Sequence, residues 1–161
     1  MDLQTIDFST ASIKTPWFSL EGLTTKARVV DIIDGDTLIA VLPIHGTMYK
    51  FSVRIFGIDT CELKSKADEC QVKAVAAWKA VVKLITRSDD IDDRVALRRH
   101  LDTNISLVTI ECCSFDKYGR LLAHIICDNC SVSDMLLDEK LAYPYFGAAK
   151  LSEHDQLRML R

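Results

Sequence analysis

Three segments decide the fold: ARVVDII (27–33), TLIAVLP (37–43) and MYKFSVRIFGI (48–58). Each is rich in Val, Ile, Leu and Phe and alternates roughly between apolar and polar positions, the period of a half-buried strand. Asp34-Gly35-Asp36 separates the first two and His45-Gly46-Thr47 the next two. Glycine-bearing polar triplets between apolar runs mark turns. The three segments therefore read as an antiparallel meander.

Downstream, residues 67–87 fit a helix. Ala74, Ala77, Trp78, Val81 and Ile85 recur at helical spacing, with Lys73, Lys79 and Lys83 elsewhere on its surface. Residues 88–103 carry Asp89, Asp90, Asp92 and Asp93 and then Arg94, Arg98 and Arg99. This stretch reads as a solvated insertion holding one or two helical turns. Two more strands fit 105–114 and 120–127, joined by the polar turn Asp116-Lys117-Tyr118-Gly119. Helices fit about 132–140, capped by Ser131 or Ser133, and about 150–160. Residues 1–25 show no period. They form an N-terminal arm whose Trp17, Phe18 and Leu20 either dock on the domain or leave the arm loose.

Five strands with a helix between the third and fourth is the order of an OB-fold, a small closed barrel that takes oligonucleotides. On pattern alone it is one candidate among several. The expected class is mainly β with α (α+β): a five-stranded OB-fold barrel with about three helices over residues 26–161.

Composition sets the outer bounds. The chain has 161 residues, 48% hydrophobic and 27% charged, enough for one domain with a real core. No run of about eighteen apolar residues is present, so no membrane span is expected. Residues 1–18 contain Asp2, Asp7 and Lys14 and lack an apolar leader core, which points to an intracellular protein. Its six cysteines are then expected as free thiols. The net charge of −3 argues against a broadly basic surface for nucleic acid. It leaves room for a local basic groove, and a carboxylate metal site itself makes the total more negative.

Hydrolysing a phosphodiester near neutral pH requires an activated water, a held phosphate and absorption of developing charge. Hard cations on oxygen ligands and guanidinium forks supply much of this. Asp36 after the first turn, Arg54 on the third strand, Asp59-Thr60-Cys61-Glu62 at its end and Arg120 after the last turn form such a set. Singly, each has a plainer reading. Asp-Gly makes hairpins, strand arginines are usually solvated, and Asp-Lys-Tyr-Gly is an ordinary turn. Their joint order is what carries information.

Ile33-Asp34-Gly35-Asp36-Thr37, Val53 to Glu62 and Asp116-Lys117-Tyr118-Gly119-Arg120-Leu121-Leu122-Ala123 together resemble the three signature blocks of the staphylococcal nuclease family. Leu141-Ala142-Tyr143-Pro144-Tyr145 resembles that family's tyrosine-bearing stretch. The resemblance runs from about Ala27 to about Arg158. It implies a calcium-dependent nuclease that cleaves DNA and RNA with little sequence choice, breaks the 5′-O–P bond and favours unpaired strands. By position, it implies Asp36, Asp59 and the Thr60 carbonyl as calcium ligands, with Asp34 close to the metal. Glu62 would be the general base, and Arg54 and Arg120 the clamp on the scissile phosphate. Lys117 and Tyr118 would meet the neighbouring phosphate, and Tyr143 and Tyr145 would flank the nucleotide.

Cys61 stands where the family usually has proline, which would stiffen the turn carrying Glu62. Cys127 and Cys130 form a C-x-x-C, and Cys112 and Cys113 would be its zinc partners. Strand pairing centred on residue 118 sets Cys112 against about 124 and Cys127 against about 109. That is a separation of about 10 Å along the strands, which disfavours zinc. Two other functions compete with the nuclease. One is a non-catalytic nucleic-acid or protein binding module of the same fold. The other is a scaffold that docks through the arm and the insertion. A homodimer is compatible with any of these readings.

Overall fold

A computed structural model describes residues 6–161. Strand β1 (Thr24–Ile32) pairs antiparallel with β2 (Thr37–Ile44), and β2 with β3 (Thr47–Ile55), as the meander requires. Helix α1 (Asp68–Thr86) follows, and β5 (Ser106–Phe115) returns to the free edge of β1. Strand β6 (Leu121–Cys127) pairs antiparallel with β5 and closes the sheet by parallel pairing to β3, with Arg54 opposite Leu122. The closed circuit is β1-β2-β3-β6-β5, an OB-like barrel of mixed α+β class. Closure leaves no free edge among these five strands. Their inward positions, including Val29, Leu38, Val53, Ile110 and Ile125, are fully buried.

The third strand does not run to Ile58. Gly57 adopts φ of +81°, a left-handed turn that breaks the extended chain. Beyond it, β4 (Ile58–Thr60) leaves the barrel and pairs with β8 (Ala142–Pro144), setting Asp59 opposite Tyr143. Expectation placed one strand over 48–58 because apolar content continues through the break.

The 88–103 segment also differs from expectation. Asp89, Asp90, Asp92 and Asp93 are exposed, but residues 94–103 form α2, a ten-residue helix capped by Asp93, whose side chain accepts from the Ala96 N–H. Leu97 and Leu101 are buried in the main core, and α2 packs on β1. Arg94 and Arg98 each reach Asp31 at 2.6 Å. Burial alone would raise the Asp31 carboxyl, but the two arginines outweigh it and hold it below its ordinary value. A β-bulge between Val29 and Asp31 aims this carboxylate at α2. The segment is thus an integral part of the core. Leu97→Ala is expected to cost about 2–5 kcal/mol, measured by urea unfolding. A solvated insertion would give a change near zero.

Helix α1 buries Ala74, Ala77, Trp78, Val81 and Ile85 as its spacing predicts, and the Trp78 indole donates to the Ile32 carbonyl at 2.9 Å. The short strand β7 (Cys130–Ser131) leads into α3 (Val132–Asp138), capped by Ser131, and α4 (Glu153–Met159) is capped by Ser152. Four helices stand among the described residues where about three were expected, because α2 was read as one or two turns within a solvated insertion. In the arm, Leu20 is buried in the main core while Trp17 is exposed. Residues 1–5 of the arm lie outside the described residues. No helix among the described residues is long and apolar enough to cross a membrane.

Candidate active site

The β1–β2 turn and the end of β3 are brought together by pairing alone. Thr37 lies opposite Arg54, and the Ile55 N–H donates to the Asp36 carbonyl at 2.8 Å. Gly35 is required at this turn, since a Cβ there would sit 2.7 Å from Ala77 Cβ and 3.1 Å from Thr60 Cγ2. The turn can therefore press against α1 and β4, which delivers Asp36 to Thr60. The Thr60 N–H and hydroxyl both donate to Asp36 Oδ2 at 3.1 Å, and the Thr37 hydroxyl to Oδ1 at 3.0 Å. Asp34 Oδ1 accepts from the Asp36 N–H at 3.1 Å and closes the turn.

Arg54 bridges the two buried carboxylates. Its Nη1 lies 2.9 Å from Asp36 Oδ2 and its Nη2 lies 3.0 Å from Asp59 Oδ1. All three side chains are about nine-tenths buried. One guanidinium thus faces two carboxylates, with Asp34 nearby. Burial first, and then the Asp34 charge, push the Asp36 carboxyl up to about 6, against the pull of Arg54. Burial also raises Asp59, with Asp36 adding to it, although the Tyr143 hydroxyl hydrogen-bonds the Asp59 carboxylate and works the other way.

These groups open into a cleft of about 460 Å³. Asp34, Glu62, Lys117, Tyr118, Arg120 and Tyr145 share its walls with Asp36, Arg54, Asp59 and Thr60. Glu62 projects from the turn after β4 with its side chain 64% exposed. Arg120 follows the β5–β6 turn, where Asp116 organises the loop. The Asp116 carboxylate accepts from the N–H groups of Tyr118 and Arg120 at 2.8 and 2.9 Å and from Arg120 Nε at 2.7 Å. Burial would raise the Asp116 carboxyl, but these bonds overcome it and hold it below its ordinary value. The Tyr118 ring lies 5.1 Å from Lys117 Nζ and 5.6 Å from the Arg120 guanidinium, an exposed aromatic face beside two cations.

No model of a known protein family matches the chain, and no curated protein matches it in sequence.

Of the residues singled out by sequence, Tyr143 is the one placed elsewhere. It is 1% exposed and packs with Cys61, Cys70, Ala74 and Leu160 behind the cleft. Its ring has no face open to a nucleotide, so its part is to donate a hydrogen bond to Asp59. The cross-strand register of β4 and β8 puts it there. Tyr145 does line the cleft, with its hydroxyl donating to the Ala148 carbonyl at 2.6 Å. Sequence reasoning missed Asp116 as the anchor of Arg120, and it missed Lys150, which reaches the cleft from the loop after β8. Asp116 was legible as an Asp at the start of a glycine-ended turn. Nothing local marked Lys150.

The donor set fits a hard cation. Two buried carboxylates share one guanidinium, and a carboxyl raised by desolvation and a like charge is one that a cation would favour. Among the described residues no three Asp, Glu, His or Cys side chains converge as a metal cluster. A cation here would therefore rest on Asp36 and Asp59, with main-chain oxygen such as that of Thr60 and water completing its shell. All six cysteines are free thiols. Cys112 pairs with Ala123 and Ile126 with Thr109, so Cys112 and Cys127 are far apart along the strands. Cys61 is buried, and desolvation and its neighbour Cys70 push its thiol up to about 12.

Proposed function

We propose that this chain is a calcium-dependent endonuclease of the staphylococcal nuclease type, hydrolysing phosphodiester bonds of DNA and RNA with little sequence specificity and favouring unpaired strands. The observation that carries the reading is the gathering of Asp36, Arg54, Asp59, Glu62, Lys117, Tyr118 and Arg120 around one cleft from four separate segments. Carboxylates for a cation, a solvent-facing carboxylate and two guanidinium groups are what in-line phosphodiester hydrolysis needs.

Asp36 and Asp59 would hold the cation. A bound calcium ion supplies positive charge to the phosphodiester. Glu62 takes a proton from the attacking water. Arg120, held in place by Asp116, and Arg54 donate to the phosphoryl oxygens and carry charge as phosphorus becomes five-coordinate. The P–O5′ bond breaks, and the 5′ oxygen leaves with the bonding pair and takes a proton from solvent water to become a hydroxyl. Tyr118 and Tyr145 offer rings for bases of any identity, which fits low sequence choice. Lys117 adds charge for the adjoining phosphate.

Purified protein incubated with heat-denatured DNA is expected to degrade it in calcium and to stop in excess chelator. Intact DNA in both conditions would overturn the nuclease reading. It would favour the second reading, a non-catalytic module that binds nucleic acid or protein. One observation speaks for that alternative: Arg54, Glu62 and Arg120 are each already ion-paired within the protein.

A further inference from the structure

The loop between β8 and α4 crosses the cleft and is tied down at both ends. At one end the Tyr145 N–H donates to the Gly57 carbonyl at 2.9 Å. At the other, the Glu153 carboxylate accepts from the Ser65 hydroxyl and from the Lys66 N–H, which binds the start of α4 to the turn after Glu62. Leu160 at the end of α4 is buried against Cys61, Cys70 and Tyr143. Lys150 is therefore presented to the cleft by a braced strap rather than by a loose chain end. Its ammonium is ion-paired with the Glu62 carboxylate and also feels Asp59 and Asp36.

The charges lining the cleft show what this lysine does. Asp34, Asp36, Asp59 and Glu62 are four carboxylates, and Arg54, Lys117, Arg120 and Lys150 are four cations. Arg54 is committed to Asp36 and Asp59, and Arg120 to Asp116. Lys117 rests on the Tyr118 ring. Lys150 is the cation that answers Glu62. We infer that Lys150 is a positioning residue of the cleft, a built-in counter-charge that holds Glu62 in the cation-free protein and is exchanged when a divalent cation binds at Asp36 and Asp59. The reason is Coulombic. A divalent ion beside these carboxylates repels the ammonium, and the ammonium in turn opposes the ion. A lysine suits the task, being a compact charge on a flexible stem that can swing from a carboxylate to a phosphate oxygen in the same cleft. The inference rests on the cation-dependent reading above.

Calorimetric titration of calcium into the full chain tests it, comparing wild type, Lys150→Met and Lys150→Arg. Lys150→Met is expected to bind calcium about tenfold more tightly, because the opposing charge is gone. Lys150→Arg is expected to stay close to wild type. A purely structural lysine would move thermal unfolding in chelator without tightening calcium binding. Equal or weaker calcium binding by Lys150→Met overturns the inference while leaving the nuclease reading intact. A wild type that takes up no calcium overturns both.

Discussion

Glu62→Ser is expected to lower turnover on denatured DNA by about 10²- to 10⁴-fold while leaving the fold unchanged, since positioned general bases contribute on that scale. Glu62 is well placed to show the effect cleanly. Its carboxylate is largely solvent-exposed and its one partner is Lys150, so removing it strands no buried group. The far-ultraviolet spectrum and the unfolding midpoint should match wild type. The loss should fall on kcat more than on KM, because proton removal from water belongs to the transition state. Near-wild-type turnover would remove Glu62 from the mechanism.

Arg54→Met is expected to act on stability and activity together. Arg54 lies between two carboxylates that are each about nine-tenths buried. Its loss leaves Asp36 and Asp59 facing one another without compensation, which costs about 3–5 kcal/mol for a broken buried pair. The cost should depend on pH. The folded-state value of Asp36 is already raised from 3.8 to about 6, so its neutral form is favoured on folding. That contribution is fully present below about 3.8 and is lost as pH rises through about 6. Losing Arg54 removes a pull that opposes the raise, so in chelator the deficit should be larger at pH 8 than at pH 5. Asp31 and Asp116 sit below their ordinary values and lose their contribution only at lower pH, so they do not confuse the comparison. Urea midpoints of both proteins at the two pH values check this. Calcium should recover part of the deficit at pH 8, since a cation can replace the missing charge. A deficit independent of pH would show that the carboxylate pair is not what Arg54 compensates.

Some elements were legible because local chemistry and tertiary demand coincide. The meander reads directly from alternation, and α1 from the spacing of Ala74, Ala77, Trp78, Val81 and Ile85. The caps Ser131 and Ser152 start α3 and α4 as their type predicts. Helix α2 was hidden for a physical reason. Only Leu97 and Leu101 of its ten residues are buried, and much of the rest of its docking is ionic, through Arg94 and Arg98 to an aspartate sixty-odd residues earlier in the chain. A helix held by two leucines and a distant carboxylate leaves a polar sequence behind it.

The candidate site divides in the same way. The sequence by itself determined the residue types, their order on the strands, and the turns that carry Asp36, Glu62 and Arg120. Turn chemistry and strand periodicity act over a few residues, so they are written locally. The tertiary structure alone decided that Tyr143 goes behind the cleft to brace Asp59 and that Lys150 faces Glu62. Those placements follow from the break at Gly57, which sends β4 to pair with β8, and from α4, which is tied back to the Glu62 turn. Contacts between segments some eighty residues apart depend on register and packing, and no local pattern encodes them.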